Sequence, residues 1–197
     1  MIPFKEKKID NAICFFAFEH KKRTRNYLTQ TVLYKYLGLL DFSSIKKTGE
    51  PALGLEYKAM KMGTVPYKIW ENRSEINKEL YAFKLEKNER GNEKYIIIAK
   101  KPPYLGCFSN WEISEMERIV EILADKSVKT PHIIEANHQE IPAWGKTWNK
   151  QQNAIIDYGD PTIIFDDDIL RKNPEELTTA EEHYLTCLAL KDDKNWK

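Results

Sequence analysis

Cysteine is scarce in this chain of 197 residues: Cys14, Cys107 and Cys187 lie far apart, with an odd count and no C-x-x-C pair. That excludes a disulfide scaffold and a zinc ribbon, and it fits reduced thiols, so the expected location is the cytoplasm. No apolar run approaches the roughly 20 residues needed to cross a bilayer, and the opening MIPFKEKKID lacks the apolar stretch of a leader peptide, so no membrane association is expected. Histidine is equally sparse. His132 and His138 are six residues apart. On one helix they would stand about 240° apart and could not chelate together. With no H-E-x-x-H either, no metal site is read. Gly49, Gly54 and Gly63 are too dispersed for a phosphate-cradling loop, and no Gly-Lys-Ser/Thr occurs. The run Asp166-Asp167-Asp168 is contiguous, without the alternating spacing and glycine of a calcium loop, and reads as a solvated run or a helix cap. Cys14 falls in an apolar helical stretch and reads as a core filler. Nothing here assembles a catalytic group, so a non-enzyme without cofactor or metal is expected.

Net charge is also lacking. The formal value is +1, which argues against a globally basic nucleic-acid binder. The charge is unevenly placed: residues 1–25 hold seven Lys or Arg against three acids, whereas residues 157–197 hold five against eleven. An acidic C-terminal appendix is the natural reading.

What is present is helical periodicity with turn punctuation. Ile9, Ala12, Ile13, Phe16, Ala17 and His20 recur at helical spacing. Thr29 is placed to cap a second helix, whose Val32, Leu33, Tyr36, Leu37 and Leu40 form a stripe too wide for a surface helix. Thr48-Gly49-Glu50-Pro51 ends it. Gly63 and Pro66 read as a turn feeding a short helix that points Ile69 and Trp70 inward. Tyr81-Phe83-Leu85 and Tyr95-Ile97-Ala99 alternate about Gly91, predicting a β-hairpin. Later helices are expected behind a Ser114/Glu117 capping box, at Thr130-Pro131, and behind a Thr179/Glu182 box, with a short strand over 162–165. The fold class is therefore mainly α with a small β-hairpin, an α+β arrangement.

One binding function deserves comparison on these grounds alone. Helices followed by a hairpin, with Lys21, Lys22, Arg23 and Arg25 in one polar loop and Lys100 and Lys101 at the hairpin's end, describe a winged-helix DNA-binding regulator. The hairpin tip EKNERGNEK is charge-mixed, which weighs against phosphate contact there. A hydrolase using His138 and a cysteine is a weaker alternative.

The ordered set of a leucine-rich helix reaching Asp41, then KTGEP, GLEYKA and Gly63-x-Val65-Pro66, and finally His138-x-x-x-Pro142-x-Trp144, resembles the Panacea domain of SocA-like antitoxins from bacteria and phages. The family usually shows Gly-Pro-Val where this chain has Gly63-Thr64-Val65. The resemblance covers about residues 9–148. It implies domain bounds of 1–148, followed by an acidic extension over 149–197 whose terminal helix packs on the same domain. It also implies a compact helical fold and an antitoxin that binds the product of an adjacent toxin gene, holds it inactive, and in some members hands it to a protease. The matched Tyr34, Leu37, Leu40, Gly49, Gly54, Ala59, Gly63, Val65, Pro66, His138, Pro142 and Trp144 are expected to build the fold, and matched Asp41 and Tyr57 to reach a partner. The bent segment between Asp41 and Lys68 adds Lys46, Lys47, Glu50, Tyr67 and Lys68 as candidate partner contacts. No specific nucleic acid is expected as partner.

Overall fold

The computed structural model describes residues 2, 4–87, 91 and 93–192. Within them the chain runs α1 (Lys5–Thr24), β1 (Leu28–Thr29), α2 (Gln30–Thr48), β2 (Tyr57–Met60), β3 (Gly63–Pro66), α3 (Tyr67–Glu71), β4 (Tyr81–Lys87), β5 (Glu93–Ala99), α4 (Asn110–Leu123), α5 (Thr130–Glu140), α6 (Pro142–Lys150), α7 (Pro161–Ile164) and α8 (Thr179–Asp192). A mainly α fold with minor antiparallel sheet is what the patterning predicts.

Helix α2 is the axis. Thr29 caps it, its side chain accepting from the Val32 N–H at 3.5 Å. Every residue from Val32 to Phe42 is buried, because α1, α4, α5, α8 and β3 all pack against it. A helix enclosed on all sides needs no polar face, which explains its wide apolar stripe. A buried ion pair, Lys8 Nζ to Glu112 Oε1 at 2.5 Å, ties α1 to α4.

Strands β4 and β5 pair antiparallel with Phe83 opposite Ile97, and β1 adds to the far side of β5. The tip of this hairpin, residues 88–90 and 92, lies outside the described residues. A second hairpin escapes the periodicity: β2 and β3 pair through Lys58 opposite Val65. Four-residue strands that contain Gly63 and Pro66 carry turn signals rather than strand signals. Residues 154–156 line the open edge of β2, with Ala59 N–H donating to Ala154 O and Ile156 N–H to Tyr57 O.

Three local expectations are corrected. The first capping box is Ser109/Glu112, so α4 starts earlier and Ser114 lies inside it. The second box is Thr178/Glu181, one residue upstream of the expected pair. Residues 162–165 form no strand: Asp160 accepts from Thr162 N–H at 3.0 Å and Pro161 occupies the first helical position, so this short segment turns helical as α7.

Candidate partner-binding site

The site begins with an acid inside the protein. Asp41, two turns from the end of α2, is 0 % exposed. Its Oδ1 accepts from the N–H groups of Leu53 (2.5 Å) and Gly54 (3.1 Å), and its Oδ2 from Leu55 N–H (3.2 Å) and the Tyr57 hydroxyl (3.0 Å). Burial pushes the Asp41 carboxyl up to about 6, against the pull of those four donors. The acid is thus the anchor of the 53–57 loop, which would otherwise bury N–H groups without partners. Asp41 and Tyr57 are both fully buried and present no surface to a partner, which corrects their place among the contact candidates. Gly54, at φ +60, follows the bend that this anchor imposes.

The anchored loop forms one wall of a cleft of about 890 Å³. The N-terminal turn of α1, helix α3 and residues 155–158 supply the others. Ile9, Leu55, Ile69 and Ile76 are among its apolar lining, and charges of both signs, Lys5, Lys68 and Lys78 with Glu6, Glu56 and Asp157, line it as well. Ile155, 50 % exposed, stands in this cleft. An apolar floor with charges of both signs suits a protein segment better than a polyanion.

The structure separates the remaining candidates. Lys68 is exposed and lines the cleft, with half-buried Tyr67 beside it under the Lys58 ammonium, 3.5 Å from the ring centroid. Glu50, half-buried, lines an adjoining cavity that shares Lys5, Gly54 and Tyr158 with the cleft. Lys46 is drawn instead toward Glu140 O (3.3 Å) and Asp166 Oδ2 (3.4 Å). Lys47 is exposed near the end of α2.

The two separated motif blocks meet on the other side of the loop. Trp144 on α6 stacks on His138 of α5, with centroids 3.6 Å apart and planes 3° from parallel, and its Nε1–H donates to Met60 O at 2.8 Å. Pro142 opens α6. Neighbouring Asn137 accepts at Oδ1 from both the N–H (3.0 Å) and the hydroxyl (3.3 Å) of Thr64. A proline at 64 would lack that N–H and with it this bond to Asn137. Gly63 has φ +97, and a Cβ there would run into Asn137 Oδ1 and approach Lys35 Nζ to 3.0 Å. Lys35 is buried in the middle of α2, donates to Thr64 O at 2.9 Å, and is pushed down to about 7 by burial. Burial, followed by the Lys35 charge, likewise lowers His138. Asn137 Nδ2 and His138 Nε2 are buried with no hydrogen-bond partner among the described residues. Tyr34, Leu37, Leu40, Ala59, Val65 and Pro66 are buried around these groups and along α2. They hold the scaffold. Lys35 and Asn137 escape the sequence reading, and Thr64 enters it only as the departure from the family's usual proline. The available signal was a lysine lodged in an otherwise apolar run.

The family model for the SocA-like antitoxin, Panacea domain, matches residues 33–145. The chain belongs to this family. The match opens within α2 and closes at the end of the His138–Trp144 stack, so the Panacea domain here contains the Asp41 anchor and both motif blocks. No curated protein and no solved structure matches the chain. No helix among the described residues is long and apolar enough to cross a membrane.

The described residues also bring together Glu50, His183 and Cys187, with one ligand atom from each lying within 4.8 Å of the others. His183 and Cys187 are four apart on α8, a spacing visible in the sequence, but Glu50 is too distant along the chain for any spacing rule to include it.

Proposed function

We propose that the protein is the antitoxin of a toxin–antitoxin pair and acts by stoichiometric binding of a toxin encoded next to it. Membership of the SocA-like antitoxin family carries this reading. The partner docks at the cleft beside the 53–57 loop, where Lys68 lines the wall with Tyr67 next to it and the loop itself is held from beneath by Asp41. The toxin is held by contact, without chemistry performed on it, and the same grip presents it to a protease where one takes part. A family scaffold that serves different partners keeps its core and varies the surface, and Lys5, Lys68, Lys78 and Ile155 are surface positions free to vary in this sense.

The test is co-expression with the adjacent reading frame. The wild-type chain is expected to restore growth and to co-purify with the neighbour's product at equal stoichiometry. A Lys68→Glu variant is expected to keep its melting temperature while weakening rescue, since exposed substitutions usually change stability by no more than about 0.5 kcal/mol. Growth arrest that persists with the wild-type chain, or a complex that forms equally well with the variant, would remove the antitoxin reading or the cleft respectively.

A further inference from the structure

We propose that Glu50, His183 and Cys187 form a zinc site that clips helix α8 to the end of α2. Their ligand atoms converge within 4.8 Å of one another. A tetrahedral ion bound at roughly 2.0–2.3 Å to each ligand spaces the ligand atoms about 3.3–3.8 Å apart, so side-chain rotations closing them by up to about 1–1.5 Å complete the site. Thiolate, imidazole and carboxylate together match zinc, whereas calcium and magnesium take oxygen ligands.

Two further features point to a built site. His183 Nδ1 lies 2.6 Å from Thr48 O, the last residue of α2, so the ring proton sits on Nδ1 and the Nε2 lone pair is left for a cation. Glu50 and Cys187 also line a cavity of about 320 Å³, which gives room for the ion and for a water in its fourth position. The approach of the two helices is fixed by backbone. Gly49 has φ +83, and a Cβ on it would lie 2.5 Å from Ala180 O and 2.7 Å from Tyr184 N. The ligands therefore sit on elements already held at close range, and ion binding displaces the Cys187 thiol proton to solvent. With zinc bound, Glu50 is withdrawn from partner contact, and the C-terminal segment becomes a fixed part of the fold.

The experiment uses the full chain, stripped with chelator under a non-thiol reductant and titrated with cobalt(II), which reports thiolate ligation by a near-ultraviolet charge-transfer band. The band is expected to saturate at one equivalent and to be bleached by zinc. Zinc is also expected to raise the melting temperature of the wild type. Cys187→Ser is expected to abolish the band, and Glu50→Gln and His183→Gln to weaken affinity by roughly tenfold or more. Cys107→Ser and His132→Gln are expected to leave it intact. The exposed ring of His183 makes its variant the deciding one should Cys187→Ser fail to fold in the absence of metal. No band in the wild type, a band that survives Cys187→Ser, or affinity unchanged in both Glu50→Gln and His183→Gln would overturn the site.

Discussion

Asp41 and Lys35 are ionisable side chains buried about 1.7 turns apart on α2, Lys35 held by the Thr64 carbonyl and Asp41 by three backbone N–H groups and the Tyr57 hydroxyl rather than by an opposite charge. Asp41→Asn keeps the shape but replaces one acceptor oxygen with a donor, leaving at least one of the loop N–H groups or the Tyr57 hydroxyl unpaired. The expected loss is about 1–3 kcal/mol in urea unfolding. An unchanged midpoint would mean that the loop does not depend on the acid. Lys35 has the opposite acid–base character. Its ammonium is pushed down to about 7 in the folded chain, from the ordinary lysine value of 10.5. Between those two values the unfolded chain binds the extra proton, so stability from this residue rises as pH climbs from 7 toward 10.5 and is lost below 7. Lys35→Met removes that dependence. The stability of wild type minus variant, followed by urea melts between pH 6 and 10, is therefore expected to grow with pH. A flat difference would show that Lys35 titrates normally.

At the scale of elements, the sequence shows long helices clearly and short ones poorly. α1 and α2 are legible because helical apolar spacing runs from Ile9 to His20 in one and from Val32 to Leu40 in the other, and Thr29 marks a start. The expected loop at Lys21 is corrected, since α1 continues through its basic last turn to Thr24. Strands β2 and β3 are not legible, since four residues cannot establish alternation and Gly63 and Pro66 speak for a turn. Ile163-Ile164-Phe165 looks like strand, but the local bond from Asp160 and the fixed φ of Pro161 decide for α7. The site was legible to the same limited degree. Motif positions were visible, but whether Asp41 faced solvent depended on N–H groups twelve to fourteen residues away, and that is a tertiary fact. The junction of α2 with α8 is a case where one residue decides how two elements meet. Gly49 holds a left-handed φ of +83 where α8 backbone leaves no room for a Cβ. Gly49→Ala is expected to cost about 1–3 kcal/mol for the backbone strain alone. Because the clash is with Ala180 and Tyr184, hydrogen exchange should accelerate across α8 more than across α4. Uniform loss of protection would mean that the strain spreads through α2 instead.

For the whole molecule, the decisive property is how its charge is spent. Of the basic groups that suggest a winged helix, Lys22 pairs with Glu19 at 3.2 Å, Lys101 pairs with Glu79, Lys100 donates to Asn77 Oδ1 and Lys78 O, and Lys21 lies over the Tyr27 ring at 4.1 Å. At the acidic end, Asp166 pairs with Lys46, and Asp167 and Glu181 share Lys172. Both regions meet part of their charge internally, and the formal total is +1. A duplex would have to compete with these bonds while offering the apolar cleft nothing to bury. Each phosphate neutralised by a protein cation makes log affinity fall by about 0.9 per unit of log salt, and non-specific binding at physiological salt lies near ~10⁻⁴–10⁻⁶ M. We expect this chain to fall in that range on its own upstream DNA and on unrelated duplexes alike, measured by fluorescence anisotropy across a salt series. Lys21→Ala/Lys22→Ala/Arg23→Ala should then change rescue from the adjacent toxin little. Nanomolar binding confined to the upstream sequence, abolished by the same triple substitution, would instead assign these residues to an operator and move the principal function from the cleft to the α1 end of the molecule.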